Sequence, residues 1–227
     1  MDRVAVATIG DVLTHDVNMA QAEAGQGEPF KIAVFSGVPR AAEIQIRSNG
    51  AADGGNLALS WQQGEAILTA SAWHEARWDQ RLNLLQAVLA LFDCIPKADG
   101  MELCWAFSGK TVLRADTPDL LERWALNRAP PVMDVIDIAM DNLPPVHVLR
   151  TIGLMPIFGY ELQADIGTRP DRELARMVGR VAQLLLDDGP LSSNVILGPD
   201  GREYALTPIP RPPFGAAILH ISEKVTG

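Results

Sequence analysis

The chain has 227 residues, enough to bury a sizeable core as one large domain or two small ones. Its 48% hydrophobic and 21% charged composition is that of a folded globular protein and excludes the disordered class. Nineteen Lys and Arg against 28 Asp and Glu leave a formal charge of −9, which repels phosphates; with no concentrated basic patch, nucleic acid and anionic membrane are expected to be poor partners.

The opening residues Met1-Asp2-Arg3-Val4-Ala5-Val6 lack a secretion-type apolar core, and no apolar run approaches the roughly 18 residues that cross a bilayer. Cys94 and Cys104 sit near apolar segments. A bridge between them and two separate buried thiols are both open, and thiols in a reducing cytosol are the preferred reading. The expected location is cytoplasmic.

In chain order, residues 4–9 alternate as a short strand, and 14–28, rich in Ala, Gln and Gly, read as a linker or weak helix. Strands are expected at 30–36, 42–47, 57–61 and 66–71, with a turn cluster at 48–55. A long helix over 78–95 carries the stripe Trp78, Leu82, Leu85, Leu89 and Phe92, widened by Leu84, Val88 and Leu91, and Pro96 stops it. Residues 101–114 read as a hairpin, and Thr117-Pro118-Asp119 opens a helix that runs to about residue 128, with Thr as its cap.

The segment 132–142 fits a helix or a strand, and its β-branched residues favour a strand paired with 146–151. A strand at 157–164 follows, then a second long helix at 170–187 with Leu174, Met177, Val178, Val181, Leu184 and Leu185. Its start, Thr168-Arg169-Pro170-Asp171, resembles a capping box, and Gly189-Pro190 ends it. A hairpin at 194–208 and a last strand at 216–222 complete the set. Strand, helix and hairpin over 66–114 thus recur over 157–208, about ninety residues later.

These elements predict an α+β fold: a mainly antiparallel sheet with two long packed helices and internally duplicated β-β-α-β-β units. The expected organisation is an N-terminal strand and linker over 1–29, a first repeat over 30–128 and a second over 129–227, packed as one globular unit.

The stretch Gly153-Leu154-Met155-Pro156-Ile157-Phe158-Gly159-Tyr160-Glu161-Leu162 carries a family resemblance. It continues through the helix to Asp188-Gly189-Pro190 and the turn Gly198-Pro199-Asp200-Gly201, with the Trp105-Ala106-Phe107-Ser108-Gly109 hairpin and the helix from Thr117 in the same order. This pattern resembles the bacterial domain of unknown function 4261, over residues 65–221. The resemblance implies an α+β domain and brings no catalytic residues with it.

Candidate chemistry is sparse. Trp73-His74-Glu75-Ala76-Arg77-Trp78 lies between a strand end and a helix start, where backbone amides point outward; Trp73, His74, Arg77 and Trp78 are the candidate ligand-binding residues, the two indoles clamping a flat or cationic group. The preferred reading has Trp78 starting the core stripe, Trp73 covering the sheet end and His74 solvated, because neighbouring residues on a helix do not face each other. Ser108-Gly109-Lys110-Thr111 resembles the tail of a phosphate loop, yet position 104 is Cys where the motif requires Gly, and a strand follows where it requires a helix.

Asp134, Asp137 and Asp141 read as a solvated face rather than a cation site, and His15, His74, His147 and His220 lack metal-ligand spacing. No catalytic residue, metal or cofactor is assigned. Residues 208–213, rich in Pro, read as a breaker protecting a sheet edge, or as a ligand for a partner. The expectation is an uncharacterised, non-enzymatic protein-interaction or accessory, immunity-type factor whose partner is another protein. The alternative is a small-molecule binder or enzyme using the Trp73–Trp78 junction, and a homo-oligomer is left open.

Overall fold

The computed structural model describes residues 30–37, 57–62, 65–70, 73, 76–95, 100–127, 130–143, 146–166, 171–198, 200–209 and 217–224. The expected strands at 4–9 and 42–47, the segment 14–28, the turn cluster at 48–55, the Thr168 cap, His74 and the proline run beyond 209 lie outside the described residues. The chain divides into two compact units between Pro130 and Pro131.

In the first unit the strands are β1 (Phe30–Ser36), β2 (Leu57–Gln62), β3 (Glu65–Ala70), β4 (Glu102–Trp105) and β5 (Thr111–Leu113). They form one antiparallel sheet in the order β2-β3-β1-β4-β5. Helix α1 (Trp78–Cys94) presents Leu82, Leu85, Val88, Leu89 and Phe92 as a buried stripe. Phe92 stacks on Phe35 of β1 with ring centroids 5.3 Å apart, so the stripe read from the sequence is the side that meets the sheet.

The start of α1 is closed by its own side chains: the Arg77 N–H donates to Gln80 Oε1 at 2.8 Å, with Asp79 in the first turn. At its other end the buried Arg114 guanidinium donates to the Asp93 carbonyl and to Asp93 Oδ1 (2.5 Å), placing a cation where the last carbonyls of the helix need donors. Helix α2 (Thr117–Asn127) buries Thr117, Leu120 and Trp124 and packs on α1.

The second unit contains α3 (Val132–Val135), β6 (Asp137–Leu143), β7 (Val146–Ile152), α4 (Met155–Phe158), β8 (Tyr160–Asp165), α5 (Asp171–Asp188), β9 (Val195–Leu197), β10 (Glu203–Ile209) and β11 (Ala217–Glu223). The sheet order is β6-β7-β8-β11-β10-β9, antiparallel except for the parallel pair β8–β11. Helix α5 buries Leu174, Met177, Val178, Val181 and Leu185 and packs against β6, β7 and β8. Leu184 is only half-buried, and Ala182 and Leu186 take inward positions instead.

The α+β class with mainly antiparallel sheets holds. Three details of the expectation are corrected. The segment at 132–142 does not begin as a strand: Ile136 N–H donates to Val132 O at 2.8 Å, closing one helical turn, and the strand starts at Asp137. The strand expected from 157 starts at Tyr160, because residues 155–158 coil into α4, which ends at Gly159 with φ +88°. That left-handed position costs a residue with a Cβ but not glycine.

The third correction concerns the duplication, which is confined to the order of elements. In the first unit the strand between the β3 side and the hairpin is β1, from earlier in the chain and antiparallel to both neighbours. In the second it is β11, from later in the chain and parallel to β8. The hairpins are also reversed: β4, the first strand, is inner in one sheet, whereas β9 is outermost in the other. Helix stripes repeat in sequence, but the hydrogen-bonding partners do not.

The β9–β10 turn shows how closely the backbone is packed. Gly198 N–H donates to Arg202 O, and a Cβ at position 198 would lie 2.4 Å from Tyr204 Cε2 and 2.7 Å from Asp200 Oδ1. Tyr204 is buried and its hydroxyl donates to Asp200 Oδ2 at 2.6 Å, so the ring has no free direction in which to retreat. That hydrogen bond, followed by the Arg202 amide, holds the Asp200 carboxyl below its ordinary value; its support is complete above the usual carboxylate range and is lost as pH falls through the lowered folded-state value. Gly198→Ala is expected to lower the urea midpoint and cost about 1–3 kcal/mol by overpacking. An unchanged midpoint would show that the turn opens without cost.

Candidate functional site

Between β3 and α1 the described residues are Trp73, Ala76 and Arg77, and Trp78 is the first residue of the helix. Trp73 is fully buried. Phe30 stacks on it with centroids 4.8 Å apart and planes at 15°, and the Arg81 guanidinium stands 6.0 Å from the ring centroid while Arg81 Nε–H donates to the Trp73 carbonyl at 3.0 Å. Its surface is therefore used within the unit, adding offset stacking and a cation over the ring to the burial energy.

Trp78 is half-buried. The Arg77 side chain is 73% exposed and directs its guanidinium to Asp79, at 3.1 and 2.7 Å. The structure thus sends Trp73 into the core and Arg77 to solvent, with Trp78 between them.

The phosphate-loop-like residues form the β4–β5 turn. Trp105 N–H donates to Lys110 O, Gly109 N–H to Trp105 O, and Lys110 N–H to Ser108 Oγ. Their amides serve the hairpin, and β5 follows at once, so the helix N-terminus that would hold a phosphate is not there. Cys94 and Cys104 are free thiols, both half-buried. Alternation along β4 places Leu103 and Trp105 in the core and Cys104 on the opposite face.

A heavily bonded polar group among the described residues is one that periodicity does not single out. Cross-strand pairing of β7 with β8 stops at Arg150↔Gln163, and side chains then take over from backbone. Thr151 Oγ1 accepts the Leu162 N–H at 2.9 Å and donates to Glu161 Oε2 at 2.7 Å. Glu161 Oε1 accepts the amides of Gly153 and Met155 at 2.9 and 3.0 Å, and Oε2 also accepts that of Leu154 at 3.2 Å. Thr151 and Glu161 are both buried, so the carboxylate is held by four donors of its own chain. It acts as a bracket for the turn that becomes α4. A carboxyl in the middle of a strand, eight residues after a glycine, is the only sequence trace of it.

A second polar set crosses the face of the sheet opposite α5. Arg150, Gln163, His220 and Thr207 stand opposite one another in register on β7, β8, β11 and β10. His220 Nε2 lies 3.4 Å from Asp165 Oδ1, a carboxylate that orients the imidazole. His147 is exposed on β7. Asp134 lies on α3 and Asp137 on β6, and among the described residues no group of three or more His, Cys, Asp or Glu converges as metal ligands. No described helix is long and apolar enough to cross a membrane.

The chain matches no protein-family model, no curated protein and no solved structure.

Proposed function

We propose that the protein is a non-enzymatic factor that acts in the cytoplasm by binding another protein, in the manner of an accessory or immunity-type component. The observation that carries this reading is how the buried polar groups are spent. Glu161 and Thr151 bind backbone amides of their own chain, and Arg114 and Asp93 close the end of α1. A carboxylate saturated by four donors is a structural anchor, unlike a general base, which keeps an acceptor position for the reacting proton. The two free thiols fit a reducing compartment. The charge of −9 favours a partner with a basic surface. The resemblance to the domain of unknown function 4261 adds a fold expectation and no reactive residue.

The test is capture of the tagged full chain from native lysate, with cross-linking and a tag-only control. A reproducible stoichiometric protein is expected, its recovery falling as ionic strength rises. Repeated captures with nothing above control would remove the reading.

The second reading, a small-molecule site at the start of α1, is favoured by the half-buried Trp78 beside the exposed Arg77 guanidinium. A ligand that raises the melting temperature of the native chain but not of Trp78→Ala would support it over the first.

A further inference from the structure

Among the described residues β6 is an end strand, paired with β7 from Asp137↔Ile152 to Leu143↔Val146 without a bulge. A regular seven-residue strand at a sheet end presents a row of outward N–H and C=O groups, which is a template for one more strand. Its midpoint is Met140, 43% exposed. Met140 shares the helix-bearing face with Ile138, whose Cδ1 lies 3.6 Å from where a Cβ on Gly179 of α5 would stand.

We propose that β6 pairs antiparallel with β6 of a second copy of this chain, about a two-fold axis at Met140, joining two six-stranded sheets into one. The argument is the self-complementarity of the strand. A two-fold axis perpendicular to the sheet lies midway between the two strands, level with one residue and its copy rather than level with a gap between residues, because directly opposed residues share a face.

With the axis at Met140, Asp137 stands opposite Leu143, Ile138 opposite Asn142, Ala139 opposite Asp141, and Met140 opposite its own copy, so every residue of the strand is paired. With the axis at Ala139, Asp137 meets Asp141 of the second copy. With the axis at Asp141, two aspartates meet directly. Opposed like charges are unfavourable. An axis at Ile138 leaves most of the strand unpaired. One register therefore combines full pairing with no carboxylate facing another, and it brings two adaptable thioether side chains together on the helix-bearing face. This contact is independent of the protein partner proposed above, since it requires only the chain itself.

Light scattering on the purified full chain over a concentration series tests it. The wild type is expected to approach twice the chain mass. Met140→Lys, which sets two ammonium groups opposite each other, is expected to weaken the dimer about tenfold or more with unchanged circular dichroism. Leu197→Lys, on β9 at the far end of the sheet, is expected to leave it intact. A wild type that stays monomeric at its highest concentration, or a dimer abolished by Leu197→Lys and not by Met140→Lys, overturns the proposal. If Met140→Lys does not fold, Met140→Cys is used instead: a short bis-maleimide is expected to give a symmetric 140–140 cross-link above the wild-type background, and its absence overturns the proposal equally.

Discussion

Glu161→Gln is expected to destabilise the second unit by about 2–4 kcal/mol, a large effect for an isosteric change. Both carboxylate oxygens are used as acceptors, Oε1 for the amides of Gly153 and Met155 and Oε2 for the Thr151 hydroxyl and the Leu154 amide. Whichever way the Gln amide turns, its NH2 group faces backbone N–H donors in a buried site. The milder orientation puts the NH2 beside Thr151, whose oxygen already accepts from Leu162, and it leaves the Leu154 amide without an acceptor. Urea unfolding at neutral pH is the measurement: the midpoint should fall with an unchanged slope. A loss below about 1 kcal/mol would show that water reaches this bracket and replaces the carboxylate.

Trp73→Ala is expected to cost about 3–5 kcal/mol of stability in the first unit, the range for removing a buried indole. The ring is fully buried, stacked on Phe30 and overlaid by Arg81, so its loss leaves a cavity and strips a neighbour from each. Thermal unfolding reads the effect directly. The same variant separates two roles for this residue. A ligand-clamping indole would lose binding while keeping its melting temperature; a packing indole loses the melting temperature first.

Much of the fold was legible because burial writes a period into the sequence. The α1 stripe from Leu82 to Phe92, the strand at Phe30–Ser36, the β4–β5 hairpin and the extent of α2 all follow from spacing and turn residues. The cap of α2 does not: Thr117 is already inside the helix, its hydroxyl donates to Leu113 O at 3.2 Å, and the first helical bond runs from Leu120 N–H to Asp116 O. What spacing does not encode is who pairs with whom. The insertion of β1 between β3 and β4, and of β11 between β8 and β10, joins residues far apart in the chain, so a shared order of elements concealed two different topologies.

The site suffered the same limit. Ile157 and Phe158 read as the start of the strand expected over 157–164, yet Glu161 captures the amides of Gly153, Leu154 and Met155, Pro156 fits the first turn and Gly159 ends it in the left-handed region, so the chain coils there instead. Trp73 reads as a candidate for ligand and for core, with the core preferred, and it is fully buried.

The position of β11 has a consequence for how the second unit comes into being. Its seven residues occupy the interior of the sheet, between β8 and β10, although they follow every other described strand in the sequence. A nascent polypeptide that includes β10 but stops short of Ala217 holds β6, β7 and β8 on one side and the β9–β10 ribbon on the other, with two raw borders and no described strand to join them. The parallel seam to β8 is the most distant pairing in this sheet by sequence separation, and such seams close slowly. Until it closes, the growing chain carries sticky margins, so the interval between the emergence of β10 and the docking of β11 is when this unit most needs shelter from its neighbours.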